Sequence, residues 1–129
     1  MATILVDTHI ILWSLLDDSR LQPSLRSAMR SAEHRWIFHQ VSLWEIQIKY
    51  NIGRPQLPCP PQEMLPAAVT KAGFERRHIE DEAIYLLGKL PLYHRDPFDR
   101  LLIAHALLNG WLFATDDREI QRYPVRVFP

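Results

Sequence analysis

The chain has 129 residues, enough to bury one hydrophobic core, and 47% of them are apolar against 23% charged, the balance of an ordinary globular protein. Fifteen basic residues match fifteen acidic ones, so net charge leaves no nucleic-acid footprint, and a phosphate-binding role would need local basic patches or a bound metal ion. No apolar run approaches the roughly 20 residues that cross a bilayer, and the single Cys59 excludes an internal disulfide and a cysteine-based metal site.

Met1 to Val6 lacks a basic leader and reaches Asp7 too soon for a signal peptide, which points to a cytoplasmic protein with no membrane partner. Within it, Thr3 to Val6 is a short apolar, β-branched run that suits a buried strand. Ile10, Leu12, Trp13, Leu15 and Leu16 then form a helical stretch that stops at Asp17-Asp18-Ser19. Pro23, Leu25, Ala28, Met29 and Ala32 read as a helix with proline in its first turn. Trp36 to Val41 is expected as a second strand, and Ser42 as the start of a helix carrying Leu43, Trp44, Ile46 and Ile48 and ending near Asn51 to Gly53.

Arg54 to Pro66 holds five of the ten prolines and is expected as a loop, followed by a helix from about Glu63 to Ala72. Arg77 to Ile79 is expected as a short strand, and Asp81 to Leu90 as a helix stopped by Pro91. Asp96-Pro97 starts another helix, which Asn109-Gly110 ends. Trp111 to Ala114 suits a strand, Asp116 to Arg122 a short helix, and Val125 to Phe128 a last strand. Short apolar strands alternating with helices imply right-handed crossovers and a mainly parallel sheet with helices on both faces, an α/β class in which residues 1–129 make one domain.

The carboxylates follow from this arrangement. Ligands of open α/β sheets sit at the carboxyl ends of the strands, and Asp7, Glu45, Asp99 and Asp117 each fall just beyond a strand or in a helix's first turn. Each also has a structural reading. Ser42 and Glu45 match a capping box, Asp96, Asp99 and Asp117 would complement helix dipoles, and Asp7 would close a turn. Four like charges on one rim would repel without a cation, and clustered oxygen ligands suit Mg²⁺ or Mn²⁺. Such an ion favours phosphoryl chemistry through an acidified water. The chain has no glycine-rich phosphate loop and no G-x-S-x-G elbow. Asp7-Thr8-His9 lacks the second aspartate of a haloacid-dehalogenase phosphatase, and a receiver domain would need a late lysine that is not evident among Lys49, Lys71 and Lys89. Those two, as other Mg-dependent phosphotransfer folds, and a non-catalytic binding module are the alternatives.

The same residues carry a family resemblance. Asp7-Thr8-His9-Ile10-Ile11-Leu12-Trp13 resembles the opening motif of VapC-type toxins of the PIN-domain superfamily, and Val41-Ser42-Leu43-Trp44-Glu45-Ile46-Gln47-Ile48-Lys49 its second block. His94-Arg95-Asp96-Pro97-Phe98-Asp99-Arg100-Leu101-Leu102 is similar to the third, and Thr115-Asp116-Asp117-Arg118 to the final Thr-x-Asp-Arg element. The resemblance implies an α/β/α sandwich with a five-stranded parallel sheet. It also implies a divalent-metal-dependent endoribonuclease, usually the toxin of a toxin–antitoxin pair and a homodimer, often acting on structured RNA such as tRNA or rRNA. Asp7, Glu45, Asp99 and Asp117 fall at the family's four acidic positions, with Asp7 and Asp99 the most direct metal ligands.

Around them, Thr115 would orient Asp117 or a metal-bound water, or cap a helix. Asp116 is an alternative to Asp117, Asp96 is the expected N-cap before Pro97 and a candidate for the metal's surroundings, and His9, at the rim beside Asp7, is expected to be structural, with contact to substrate as the alternative. Arg100, Arg118, Arg95, Lys49 and Arg54 flank the acidic motifs and are candidates for gripping RNA phosphates, or else solvated surface charges. Trp13 and Trp44 sit at apolar helical spacing and are expected in the core; exposed, they would line a groove for an antitoxin helix.

Overall fold

In the computed structural model, which describes residues 1–54 and 57–129, five strands form one all-parallel sheet in the order β3-β2-β1-β4-β5. The strands are β1 (Thr3–Val6), β2 (Arg35–His39), β3 (Glu75–Arg77), β4 (Leu112–Ala114) and β5 (Arg126–Phe128). The helices are α1 (Thr8–Leu15), α2 (Pro23–Arg30), α3 (Gln40–Asn51), α4 (Pro61–Lys71), α5 (Asp81–Leu86) and α6 (Pro97–Asn109).

Side chains alternate across the sheet with the two-residue period of a strand. Ile4, Val6, Trp36 and Phe38 pack on one face with Ile10, Ile11, Leu25, Leu65 and Val69 of α1, α2 and α4. Leu5, Ile37 and Phe113 pack on the other with Ala83, Leu101, Leu102 and Ile103 of α5 and α6. Both faces are covered, which makes the three layers expected and explains why the central strands are apolar throughout. Each fully buried Leu, Ile or Phe contributes about 1.5–3 kcal/mol.

Four boundaries differ from the sequence reading. The third helix begins at Gln40, because His39 Nδ1 accepts the Val41 amide at 3.1 Å and caps it there, so Ser42 lies inside the helix. β3 is Glu75–Arg77, two residues earlier than expected; as an edge strand it is polar, and alternation could not mark it. α4 starts at Pro61 and contains Pro66, whose missing amide leaves only the carbonyl of exposed Gln62 without its helical donor. The expected loop before it includes Pro55 and Gln56, which lie outside the described residues. Finally, Asp116–Arg122 forms only a 3-10 turn at Ile120–Arg122. The Thr115 hydroxyl takes the Asp117 amide and the Asp117 carboxylate takes the Glu119 amide, at 3.0 and 2.9 Å, so side chains replace the helical acceptors. Among the described residues, no helix is long and apolar enough to cross a membrane.

The strand order matters for the site. From β1 the chain crosses to β2 and β3 on one side, and β4 and β5 lie on the other. The carboxyl ends of β1 and β4 therefore flank the point where the connections diverge, the usual ligand crevice of an open α/β sheet.

Candidate active site

Asp7 ends β1 and caps α1, with its Oδ1 accepting the Thr8 amide at 2.8 Å. Its Oδ2 accepts the Thr115 hydroxyl at 2.6 Å from the end of β4, and the side chain is nearly inaccessible. Glu45 projects from the second turn of α3 and is only 4% exposed. It cannot cap that helix, since His39 does so, and the capping-box reading of Ser42 and Glu45 therefore falls. Ser42 Oγ instead accepts the Thr8 hydroxyl at 2.9 Å and ties α3 to α1. Glu45 Oε2 accepts Lys49 Nζ one turn on, whereas its buried Oε1 has no partner among the described residues. A buried, unpartnered carboxylate oxygen is expensive unless something else binds it.

Asp99 enters from the first turn of α6. Asp96 sets that turn by accepting the amides of Phe98 and Asp99 at 2.8 and 3.1 Å, so its role as N-cap is observed directly. Asp7, Glu45 and Asp99 line one pocket of about 300 Å³ with Thr8, His9, Lys49 and Arg54. Glu45, Asp96 and Asp99 each bring an oxygen within 4.8 Å of the others, and His94, Asp99 and Asp117 do the same with one atom each. Asp99 is the member common to both groups.

Two histidines complete the rim. His94 Nδ1 accepts the Asp96 amide at 3.1 Å, which leaves Nε2 as the proton-bearing nitrogen, 2.9 Å from Asp117 Oδ2 and 3.1 Å from Asp99 Oδ2. His9 reaches Asp116 through Nε2 and lies 3.5 Å from Asp7 through Nδ1. Asp117 thus joins Asp99 through His94, and Asp116 joins Asp7 through His9. Sequence alone assigns His94 no role of its own, although it stands two residues before the Asp96 cap, close enough to fold back onto that turn.

The electrostatics follow the geometry. Burial, then the charges of Asp7, Asp96 and Glu45, push Asp99 up to about 8 against the opposing effect of His94. Burial opposes a charged His9, but Asp7 and Asp116 outweigh it and raise the ring to about 9. Partial burial would raise Asp117, yet hydrogen bonds from His94 and the Glu119 amide hold it below the usual carboxylate range. For Lys49 the carboxylate of Glu45 overcomes desolvation and raises the ammonium. Lys49 and His9 are therefore the counter-ions of an acidic rim, to which His94 adds an Nε2–H donor.

The remaining candidates lie apart. Arg100 donates to the backbone carbonyls of Leu87 and Pro91 at 3.1 and 3.2 Å, so its guanidinium fastens the loop before α6 instead of facing the pocket. Arg95 and Arg118 are exposed and make no ion pair among the described residues. Trp13 is half-buried against the core, with its ring edge to His9. Trp44 departs from the core expectation: it is 49% exposed, meets Phe98 edge to face and lines a largely apolar cavity of about 530 Å³ with Leu43, Pro61, Leu65, Arg76 and Ile79.

The parallel sheet of this order carries a carboxylate pocket where β1 and β4 diverge, and the family model of the PIN domain matches residues 4–125. The chain belongs to the PIN-domain family. It is 27% identical over 126 residues to Ribonuclease VapC22 of Mycobacterium tuberculosis, covering 95% of this chain and 93% of that protein. Its fold is similar to the crystal structure of VapBC2 from Rickettsia felis bound to a DNA fragment from their promoter, with a TM-score of 0.70, 14% identity and coverage of 98% and 97% of the two chains. The crystal structure of DNA-bound VapBC from Salmonella typhimurium matches with a TM-score of 0.69, 16% identity and coverage of 99% and 98%. That of FitAcB from Neisseria gonorrhoeae gives 0.61, 14%, and 98% and 96%.

Proposed function

We propose that this protein is a divalent-metal-dependent endoribonuclease, the toxin of a toxin–antitoxin pair, acting through one domain over residues 1–129. The observation that carries the reading is the buried Glu45 Oε1, without a partner among the described residues in a pocket it shares with Asp7 and Asp99. The likeness to Ribonuclease VapC22 over nearly the whole chain supports RNA as the substrate.

The donor set is oxygen-rich and suits Mg²⁺ or Mn²⁺, with Asp7, Glu45 and Asp99 as the residues that would hold the ion and Asp117 acting beside them through Asp99. A bound ion of this kind supplies an acidified water and neutralises charge on the phosphodiester. The chain's own groups do the rest. Thr8 and Thr115 orient Asp7, Asp96 fixes the start of α6 and hence Asp99, and the Nε2–H of His94 holds Asp117 against Asp99. Lys49 and Arg54 on the pocket wall, with Arg95 and Arg118 outside it, provide the local positive charge that the neutral composition requires for an RNA enzyme.

The cavity beside Trp44 is the surface we assign to the antitoxin. The VapBC and FitAcB neighbours support a partner of that class. A self-complementary apolar patch would make the protein a homodimer, which light scattering across micromolar concentrations tests. The function itself is tested by incubating purified protein with total RNA in EDTA, Mg²⁺ and Mn²⁺. Cleavage restored by either ion and lost in Asp99→Asn is the expected result. Cleavage indifferent to EDTA would overturn the reading.

A further inference from the structure

Glu45 is buried, one of its oxygens has no partner among the described residues, and the other is taken by Lys49. The ammonium sits on a side chain 42% exposed, at the mouth of the pocket whose floor is Asp7, Glu45 and Asp99. It is held at close range by Glu45 and more weakly by Asp96 and Asp99. Arg54 lines the same pocket without an ion pair among the described residues. Its backbone is set by the end of α3, where Gly53 adopts φ 84° and the Arg54 amide returns to the Lys49 carbonyl at 2.7 Å. A side chain at Gly53 would be strained in that conformation.

We propose that Lys49 is the resident cation of the metal-free site and exchanges partners when metal binds, leaving Glu45 for a phosphate of the RNA. This rests on the metal-site reading above and adds a coupling to it. A divalent ion on the free Oε1 draws on the same carboxylate charge that neutralises the ammonium on Oε2, and it repels that ammonium at close range. Metal binding therefore weakens the Lys49–Glu45 pair, and the released ammonium lies on the wall that Arg54 shares, free to meet a phosphate of the RNA. The ion pair keeps positive charge inside the pocket in the absence of metal. In its presence that charge turns to substrate, so metal and RNA each favour the binding of the other.

The exchange makes a prediction of unusual sign. Lys49→Gln removes the competitor for Glu45 and should tighten Mn²⁺ binding, measured by calorimetry on protein without RNA, by about two- to fivefold, the scale of a partly exposed ion pair. The same variant should raise the KM for RNA cleavage several-fold, because a phosphate contact is lost. Lys49→Arg keeps a cation on Glu45 and should leave Mn²⁺ affinity near the parent value. Arg54→Gln deletes a cation from the same wall without freeing Glu45, and its effect on Mn²⁺ affinity should be clearly smaller than that of Lys49→Gln. Equal tightening in Lys49→Gln and Arg54→Gln would show a general field effect and overturn the exchange. Unchanged or weaker Mn²⁺ binding in Lys49→Gln would overturn it as well. A parent protein that binds no Mn²⁺ would remove the metal-site reading itself, an outcome distinct from either.

Discussion

Thr115 at the end of β4 donates its hydroxyl to Asp7 Oδ2 at the end of β1, 2.6 Å away across the point where the sheet's connections diverge. The bond joins residues 108 positions apart in sequence, and both side chains are buried. Thr115 also accepts the Asp117 amide, so one hydroxyl orders carboxylates on both sides of the site. Thr115→Val preserves shape and removes the donor, leaving a buried carboxylate oxygen short of a partner. The expected cost is about 1–3 kcal/mol of stability, with kcat falling about tenfold as Asp7 loses its orientation. Thr115→Ser should restore most of both. Unfolding curves and RNA cleavage rates for the two variants provide the check, and a fully active, fully stable Val variant would show that the bond orients nothing.

Glu45→Gln addresses the residue freed from a capping role. His39 caps α3, so the substitution removes only the pairing with Lys49 and the charge in the pocket. Helical pairs at this spacing are worth about 0.2–0.5 kcal/mol, and stability should stay within about 1 kcal/mol of the parent. RNA cleavage should fall at least a hundredfold, because a ligand charge is gone. Thermal melting and cleavage rates together separate the two effects; retained activity would mean that Glu45 does not hold the ion.

Much of this was legible in the sequence because it is local. The Asp96-Pro97 start of α6, the Gly110 end of that helix and the apolar runs of β1, β2 and β4 follow from capping chemistry and burial within a few residues. The acids could be assigned to one rim because every strand of a parallel sheet ends on the same side. What could not be read was which bases would meet those acids. His94 reaches Asp99 and Asp117 only because its Nδ1 binds the Asp96 amide, and His9 reaches Asp116 only because β4 lies beside β1. The exposure of Trp44 depends on how α3 packs, and its apolar helical spacing suggested the opposite. Arg100 was placed with the RNA contacts by its neighbour Asp99, whereas its guanidinium turns back to Leu87 and Pro91.

His9 gives a pH-dependent stability of definite sign. Its ring is raised from an ordinary 6.5 to about 9 by Asp7 and Asp116, against the effect of burial. A base with a raised folded pKa stabilises the fold fully below its unfolded value, and that contribution is lost as pH rises through the folded value. In EDTA, His9→Gln should therefore melt below the parent at pH 6, and the gap should close by about pH 9.5. Melting curves across that range test it, and a gap that does not vary with pH would show that the ring's charge plays no part.

Asp99 works in the same direction through opposite chemistry. Burial and the carboxylates of Asp7, Asp96 and Glu45 raise its folded pKa from 3.8 to about 8. The folded protein then binds this proton more tightly than the unfolded chain does. This proton's contribution to stability is intact below the unfolded pKa near 4, declines as pH rises through the interval, and is gone once pH passes the folded value. Metal-free protein at neutral pH should therefore melt low, and Asp99→Asn, which removes the charge at every pH, should melt higher in EDTA. A divalent ion that binds only the folded state reverses the order for the parent, adding about 2.7 kcal/mol at a hundredfold excess over its dissociation constant. The variant should gain much less. The proton and the metal also compete for the same oxygens, so apparent Mn²⁺ affinity should weaken by up to tenfold for each pH unit below about 8 and level off above it. Melting curves in EDTA and in Mn²⁺ at pH 6, 7, 8 and 9, for the parent and for Asp99→Asn, measure all of this at once. Equal metal responses in the two proteins would remove Asp99 from the ligand set, and a pH-independent Mn²⁺ affinity in the parent would remove the raised proton as its competitor.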